Sequence, residues 1–487
     1  MAKNYDAVIL GGGVAGYTAA LQARQFGLSA AVVEASRLGG TCLHKGCIPT
    51  KALLRSAEVY QLIGRHAAFG VAMDSADVSV DFAQMQSRKQ SIVAELYAGL
   101  QQLVRRSGVD MYAGRGRIMG PSIFSPTAGA LAVDMHEGGT EYLVPDTALL
   151  IATGSRPQEL SGLPIDGTRV VTTDQLLELK ALPASIVIVG GGVIGSEWAS
   201  LLVDLDVDVT LIEMAPQILP YEDRDVQRAV ARELAARGVK IHTQTKVLSS
   251  AIHEHEVSVE CESDEEARRQ FAAELVLVSV GRRPSTEGIG LEAAEILVQN
   301  GAVVVNEAGE TSVPGIFAAG DVVGGLMLAH KAAQQAVEVV RGWAGVPVYA
   351  ANMMPRCVYT RPEAASVGLT EKQAHDAGYR TLVGRYALKA NGKALIEGDP
   401  EGFCKIICDA DTDDLLGAHL VGARTTDIIG LFSLGGLLDV SGEELAAAVY
   451  PHPTISEVVG EAARRLRSSR TENKRSREDD VRDSRKV

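Results

Sequence analysis

The stretch DAVILGGGVAGYTAALQARQFGLSAAVVE, residues Asp6 to Glu34, reads as one strand–turn–helix–strand unit. A short apolar strand, Tyr5 to Leu10, runs into Gly11-Gly12-Gly13-Val14-Ala15-Gly16, and an Ala-rich helix leads on to a second strand ending at Glu34. Gly11, Gly13 and Gly16 fit the G-x-G-x-x-G spacing, which serves a tight turn, close backbone approach to a pyrophosphate and close helix packing, with the helix N-terminus facing the phosphates. The glycines alone are a weak signal, because a Gly-rich turn can carry no ligand. Glu34, 23 positions after Gly11, stands where a carboxylate accepts ribose hydroxyls.

The unit recurs at Ser185 to Glu213, SIVIVGGGVIGSEWASLLVDLDVDVTLIE, with Gly190, Gly192 and Gly195 in the same spacing and Glu213 again 23 positions after the first glycine. Two complete cradles imply two nucleotides, as an enzyme passing electrons between cofactors requires. A carboxylate at Glu213 repels a 2′-phosphate, and Met214 to Asp223 contain no Arg or Lys, which favours NAD over NADP. Read as an exposed strand-end acid, Glu213 leaves that choice open.

After the first unit comes LGGTCLHKGCIPTK, Leu38 to Lys51. Cys42 and Cys47 lie five positions apart in a turn-rich context beside His44 and Lys45, so their sulfurs can close a small disulfide loop and hold an electron pair. Such a dithiol works through a thiolate, and the proton needs an acceptor. Rival readings are a static disulfide and a zinc half-site, although zinc asks for further ligands at shorter spacing.

Composition narrows the class. At 487 residues the chain is long enough for several domains. A net charge of −14 offers no basic field for nucleic acid. No apolar run has a membrane helix's length, and the start MAKNYDAVILGGG enters a strand without a charged n-region, so the expected location is cytoplasmic and off the membrane. Six cysteines are too few for a secreted disulfide framework. Cys404 and Cys408 fall on one face of a strand, GFCKIIC, and are expected to pack. Ala52 to Arg106 reads as helices at 3.6-residue spacing, and Asp110 to Thr147 as short strands.

The redox loop and both Gly-rich units resemble those of the pyridine nucleotide-disulfide oxidoreductases, flavoproteins that move electrons between a nicotinamide and a disulfide. Further blocks extend the resemblance: LLIATGSRP with Thr153 and Gly154, LVLVSVGRRPST with Gly281, ETSVPGIFAAGDVVGG with Asp321, MLAHKAAQQA, and VYPHPTISE with His452 and Glu457. It implies an α/β fold of two Rossmann-like dinucleotide-binding domains, for FAD and NAD, plus a C-terminal α+β dimerisation domain. The expected division is 1–148 and 276–347 for FAD, 149–275 for NAD, 348–467 for the dimer interface, and 468–487 as a charged disordered tail.

The resemblance also implies roles. Cys42 becomes the thiol that exchanges with substrate, and Cys47 the thiol beside the flavin. His452 becomes the base, oriented by Glu457 and reaching the cysteines of the other subunit of a homodimer. Gly11, Gly13, Gly16, Glu34, Lys51, Thr153, Gly154 and Asp321 fall to FAD; Gly190, Gly192, Gly195, Glu197, Glu213 and Gly281 fall to NAD. Lys51 would approach the flavin and pair with Glu197, where the bland reading makes both solvated helix charges. No metal is implied. The segment around MLAHKAAQQA points to the branch that oxidises protein-bound dihydrolipoamide, partnered by a lipoyl-bearing acyltransferase subunit or lipoyl carrier protein. Tyr450, where that branch often has His, and Asp427, where Glu is common, are departures. Alternatives are a relative acting on another disulfide, mercuric ion or a quinone, and a non-catalytic FAD-binding subunit.

Overall fold

The first Gly-rich unit forms β1 (Lys3–Leu10), α1 (Val14–Gln25) and β2 (Ala30–Glu34) in the computed structural model, which describes residues 2–74, 78–121, 129–263, 268–349 and 353–466. The expected tail, 468–487, lies outside the described residues. The chain continues through α2 (Gly40–Lys45), α3 (Cys47–Gly64), α4 (Phe82–Ser107), β3 (Asp110–Ile118), β4 (Leu131–Met135) and β5 (Thr140–Ile151). A parallel ladder runs β3-β2-β1-β5 and on to Ile316–Ala318. β4 joins β3 and β5 antiparallel.

Parallel strands are covered on both faces and therefore read as unbroken apolar runs. Val8, Ile9, Ala31, Val32, Leu149 and Leu150 are accordingly fully buried. Helix α1 is Ala-rich for a packing reason. Its Ala15, Ala19, Ala20 and Ala23 share a core with Ala332, Ala336 and Val340 of the helix Ala329–Trp343, and small side chains let the two helices approach closely. On α4, two polar residues occupy buried positions: Lys89 Nζ donates to Leu177 O at 2.5 Å and Gln86 Nε2 to Leu179 O at 2.9 Å. Buried donors need such partners, and here they fasten residues 177–179 to the helix.

The chain divides into two compact units, one of Met1–Ser56, Ser79–Leu182 and Val278–Tyr349, the other of Ala57–Val78, Pro183–Leu277 and Ala350–Val487. In the second unit the repeat of the Gly-rich motif gives the strand Ser185–Val189, the helix Val193–Val203 and the strand Asp208–Ile212, which pairs in parallel with Lys240–His242. The same unit holds an antiparallel sheet ordered Arg356–Val358, Ala364–Gly368, Leu415–Val421, Phe403–Asp409, Thr381–Ala387. Cys404 and Cys408 lie fully buried in its core, as packing residues.

One cation organises the polar side of that sheet. Lys405, its side chain only 4% exposed, places Nζ 3.0 Å from Asp223, 3.0 Å from Asp225 and 2.7 Å from Glu371. Asp223 also caps the helix Arg224–Ala236, accepting from Asp225 N at 3.0 Å. Replacing Lys405 with Met would leave these carboxylates facing one another without a counter-charge. We expect Lys405→Met to lower stability by about 3–5 kcal/mol, read as a fall in the urea midpoint at unchanged slope; an unchanged midpoint would show the ion cluster to be dispensable.

Candidate active site

Cys42 lies inside α2 and Cys47 opens α3, with Gly46 between the two helices. Both are half-buried thiols. The hydrogen bond from Cys42 to Cys47, followed by burial, pushes the Cys42 thiol far above its ordinary range, while the Lys51 ammonium pulls it back. The Cys42 proton is therefore held. Cys47 is the first residue of an 18-residue helix, whose macrodipole favours an anion at its N-terminus. The loop itself is anchored on both sides. His44 Nε2 donates to Leu38 O at 2.8 Å, its ring lies edge-on to Tyr97, and Lys45 pairs with Asp174 at 2.9 Å.

The two Gly-rich turns are built alike. Glu34 accepts from Gly12 N at 2.7 Å and Ser36 N at 2.6 Å; Glu213 accepts from Gly191 N at 2.6 Å and Ala215 N at 2.7 Å. Each strand-end carboxylate is thereby fixed at the lip of its turn, which removes the reading of Glu213 as a loose surface acid. At Gly11 φ is +110°, and a Cβ on Gly16 would run into the Gly11 carbonyl, so both positions demand glycine. Space is open where a pyrophosphate has to approach: a Cβ on Gly13 would meet nothing nearer than 3.9 Å, and one on Gly192 nothing within 4 Å. Gly195 is buried in the first turn of its helix. These cradles fit the dinucleotides that the spacing implies.

Thr153 and Gly154 lie between β5 and the short strand Ser155–Pro157 and are tied to Ser285: Thr153 Oγ1 donates to Ser285 O at 2.7 Å, and Ser285 N to Gly154 O at 2.9 Å. Over Gly154 there is nothing within 4 Å of an added Cβ, and over Gly281 only Gln158 Oε1 at 3.9 Å. Asp321 Oδ2 accepts from Ser155 Oγ at 2.5 Å, and Ser155 Oγ in turn accepts from Arg282 Nε at 2.7 Å. Glu197 is not a solvated helix charge. It is 3% exposed, and its Oε1 accepts from Tyr359 N at 3.0 Å. Lys51 stands one turn into α3, four residues after Cys47.

In the second unit His452 Nδ1 lies 2.9 Å from Glu457 Oε1. A carboxylate can only accept, so Nδ1 carries a proton, and in the neutral ring Nε2 holds the lone pair. The His452 hydrogen bond, and then Thr454 N donating at 3.0 Å to Oε2, hold Glu457 below the usual carboxylate range. The His452 side chain is 78% exposed. Tyr450, the departure two positions earlier, packs on Gly460 and donates its hydroxyl to Leu445 O at 3.0 Å, a structural role.

Residues 5–336 match the family described as pyridine nucleotide-disulphide oxidoreductase. This chain belongs to that family. Residues 354–463 match the dimerisation domain of the same oxidoreductases. The dihydrolipoyl dehydrogenase of Bacillus subtilis is 47% identical over 95% of this chain and 98% of its own length, and that of Rhizobium etli is 38% identical over 95% and 98%. Among solved structures, LpdA from Mycobacterium tuberculosis has a TM-score of 0.87 at 29% identity, covering 94% of this chain and 99% of that one. A Cu(II) complex of the HOCl-induced flavoprotein disulfide reductase RclA from Escherichia coli has a TM-score of 0.82 at 29% identity, over 95% and 99%. As a pyridine nucleotide-disulphide oxidoreductase the chain works with FAD and NAD, and both cradles accommodate them. Among the described residues no group of three or more His, Cys, Asp or Glu is placed to hold a metal, and no helix is long and apolar enough to cross a membrane.

Sequence reasoning passed over Ser155 and Arg282. Both adjoin motif residues, Gly154 and Gly281, and that adjacency was the available signal.

Proposed function

We propose that this chain oxidises dihydrolipoamide to lipoamide and reduces NAD+. The reading is carried by the thiol pair at the junction of α2 and α3, Cys42 hydrogen-bonded to Cys47 with Lys51 one turn further on, in a family member related to dihydrolipoyl dehydrogenases. One substrate thiolate attacks Cys42 of the oxidised pair and releases Cys47 as a thiolate. The second substrate thiolate then closes the lipoamide disulfide and releases Cys42. Two electrons reach the cysteine pair, and the two substrate protons pass to Cys42 and to His452 of the partner subunit, whose Nε2 is the free acceptor. FAD, when bound, carries the electron pair from the dithiol to NAD+ as hydride.

Segments 1–148 and 276–347 would hold FAD through Gly11, Gly13, Gly16, Glu34, Lys51 and Asp321, together with Thr153 and Gly154 just past the end of the first segment. Segment 149–275 would hold NAD through Gly190, Gly192, Gly195, Glu197 and Glu213, with Gly281 beside it, and 348–467 would form the homodimer. The lipoyl group would arrive on an acyltransferase subunit or carrier protein, in the cytoplasm.

The test is a steady-state assay of the yellow protein with dihydrolipoamide and NAD+, beside NADP+, and with NADH and oxidised glutathione. Rapid NAD+ reduction by dihydrolipoamide supports the reading; turnover of glutathione alone overturns it. Glu213→Gln keeps an acceptor for one of the two turn amides and removes the charge that faces ribose. It should lower kcat/KM for NAD+ by about tenfold and raise the NADP+ to NAD+ ratio. An unchanged ratio would remove Glu213 from cofactor choice.

A further inference from the structure

Arg282 is tied to Ser155 through two hydrogen bonds. Its Nε donates to Ser155 Oγ at 2.7 Å and its Nη2 to Ser155 O at 2.8 Å. A guanidinium cannot accept, so the Ser155 proton has to point elsewhere, and it points to Asp321 Oδ2 at 2.5 Å. The direction of every bond in this chain is forced. With Oδ2 committed, Oδ1 is the oxygen of Asp321 left to face a ligand hydroxyl. The charges around the chain alternate: Lys45 pairs with Asp174, and the carboxylates of Asp321 and Asp174 and the Cys47 sulfur all act on Arg282, against the burial that opposes its charge. The short antiparallel pairing of Arg282–Pro284 with Ser155–Pro157 holds donor and acceptor in register.

We propose that Arg282 is a positioning residue for the flavin, orienting the Ser155 hydroxyl so that Asp321 presents one fixed carboxylate oxygen to the ribityl chain. This rests on the reading of Asp321 as the flavin-binding carboxylate. Arg282 acts through Ser155 and Asp321. Its effect appears as flavin retention, and the two side chains act as one unit with Asp321.

The experiment measures the rate at which FAD leaves the holoenzyme on dilution, followed by flavin fluorescence, for Ser155→Ala, Arg282→Met, the double variant, Ser155→Thr, Arg282→Lys and Asp321→Asn. Ser155→Ala and Arg282→Met should each speed release about tenfold, the scale of one charge-assisted hydrogen bond. The double variant should release FAD no faster than Arg282→Met, because both changes cut the same chain. Ser155→Thr, which keeps the hydroxyl, should restore retention. If Arg282→Met fails to fold, Arg282→Lys and Ser155→Ala carry the comparison. The proposal is overturned if the two losses multiply, or if Asp321→Asn speeds release while Ser155→Ala does not. If Asp321→Asn itself leaves release unchanged, the flavin reading of Asp321 falls, and the proposal with it.

Discussion

Cys47→Ser should lower dihydrolipoamide-driven NAD+ reduction by roughly a thousandfold or more, since Cys42 without its partner sulfur forms no disulfide to take up the electron pair. The geometry says why the loss is total rather than partial. Cys47 opens α3, four residues before Lys51, and is the hydrogen-bond partner of Cys42. Serine at 47 cannot form the disulfide, and its alkoxide is far too basic to replace the thiolate. The FAD cradle lies in other residues: Gly11, Gly13, Gly16 and Glu34 are untouched, so the variant should stay yellow. It should also keep passing electrons from NADH to a dye or quinone, a reaction that needs both nucleotide cradles and neither cysteine. Two assays on one preparation therefore separate relay from fold. Loss of the dye reaction as well would mean that the variant had damaged the cradles, and dihydrolipoamide turnover within tenfold of the parent would remove the dithiol from the mechanism.

How much of the fold is legible in the sequence follows from how far apart the interacting residues lie. The two Gly-rich turns are local: Glu34 reaches Gly12 across 22 positions, and Glu213 reaches Gly191 across the same separation. A strand, a tight turn and a helix impose that spacing directly, so the α/β class and both cradles were legible. The antiparallel character after residue 348 was legible for a similar reason, in short alternating strands. The pair His452 and Glu457 was not legible from spacing alone, because it sits in an irregular turn; the His-Pro-Thr-x-Ser-Glu resemblance picked it out. Ser155 and Arg282 are 127 positions apart, and Lys405 reaches Asp223 across 182. No periodicity connects such residues. Glu197 shows the opposite failure, since one charge on a helix offers no sign of whether water or Tyr359 N will meet it.

His452→Gln should reduce kcat by about a hundredfold to ten-thousandfold, the range of a lost general base. The sign for its partner is fixed by the shift in Glu457, whose carboxyl is held below its ordinary value by His452 and by Thr454 N. A carboxylate with a lowered folded-state pKa contributes its orienting bond above its unfolded value and loses it only as pH falls through the lower folded one. Across neutral pH Glu457 is therefore always charged and supplies no limb of its own. Glu457→Gln should accordingly cost about tenfold in kcat. The largest consequence concerns the subunits. His452 is 78% exposed in a single chain, and the reading here makes it serve the cysteines of a second copy. If so, two inactive homodimers, Cys47→Ser and His452→Gln, should complement when unfolded together and refolded. Each mixed dimer then contains one site with both defects and one site with neither. Half of a random mixture is mixed dimers, so activity should return to about a quarter of the parent level. A base acting within its own chain leaves every site with one defect, and the mixture would stay inactive. Recovery near a quarter assigns His452 to the neighbouring subunit; its absence, with mixed dimers shown to form, returns the base to its own chain.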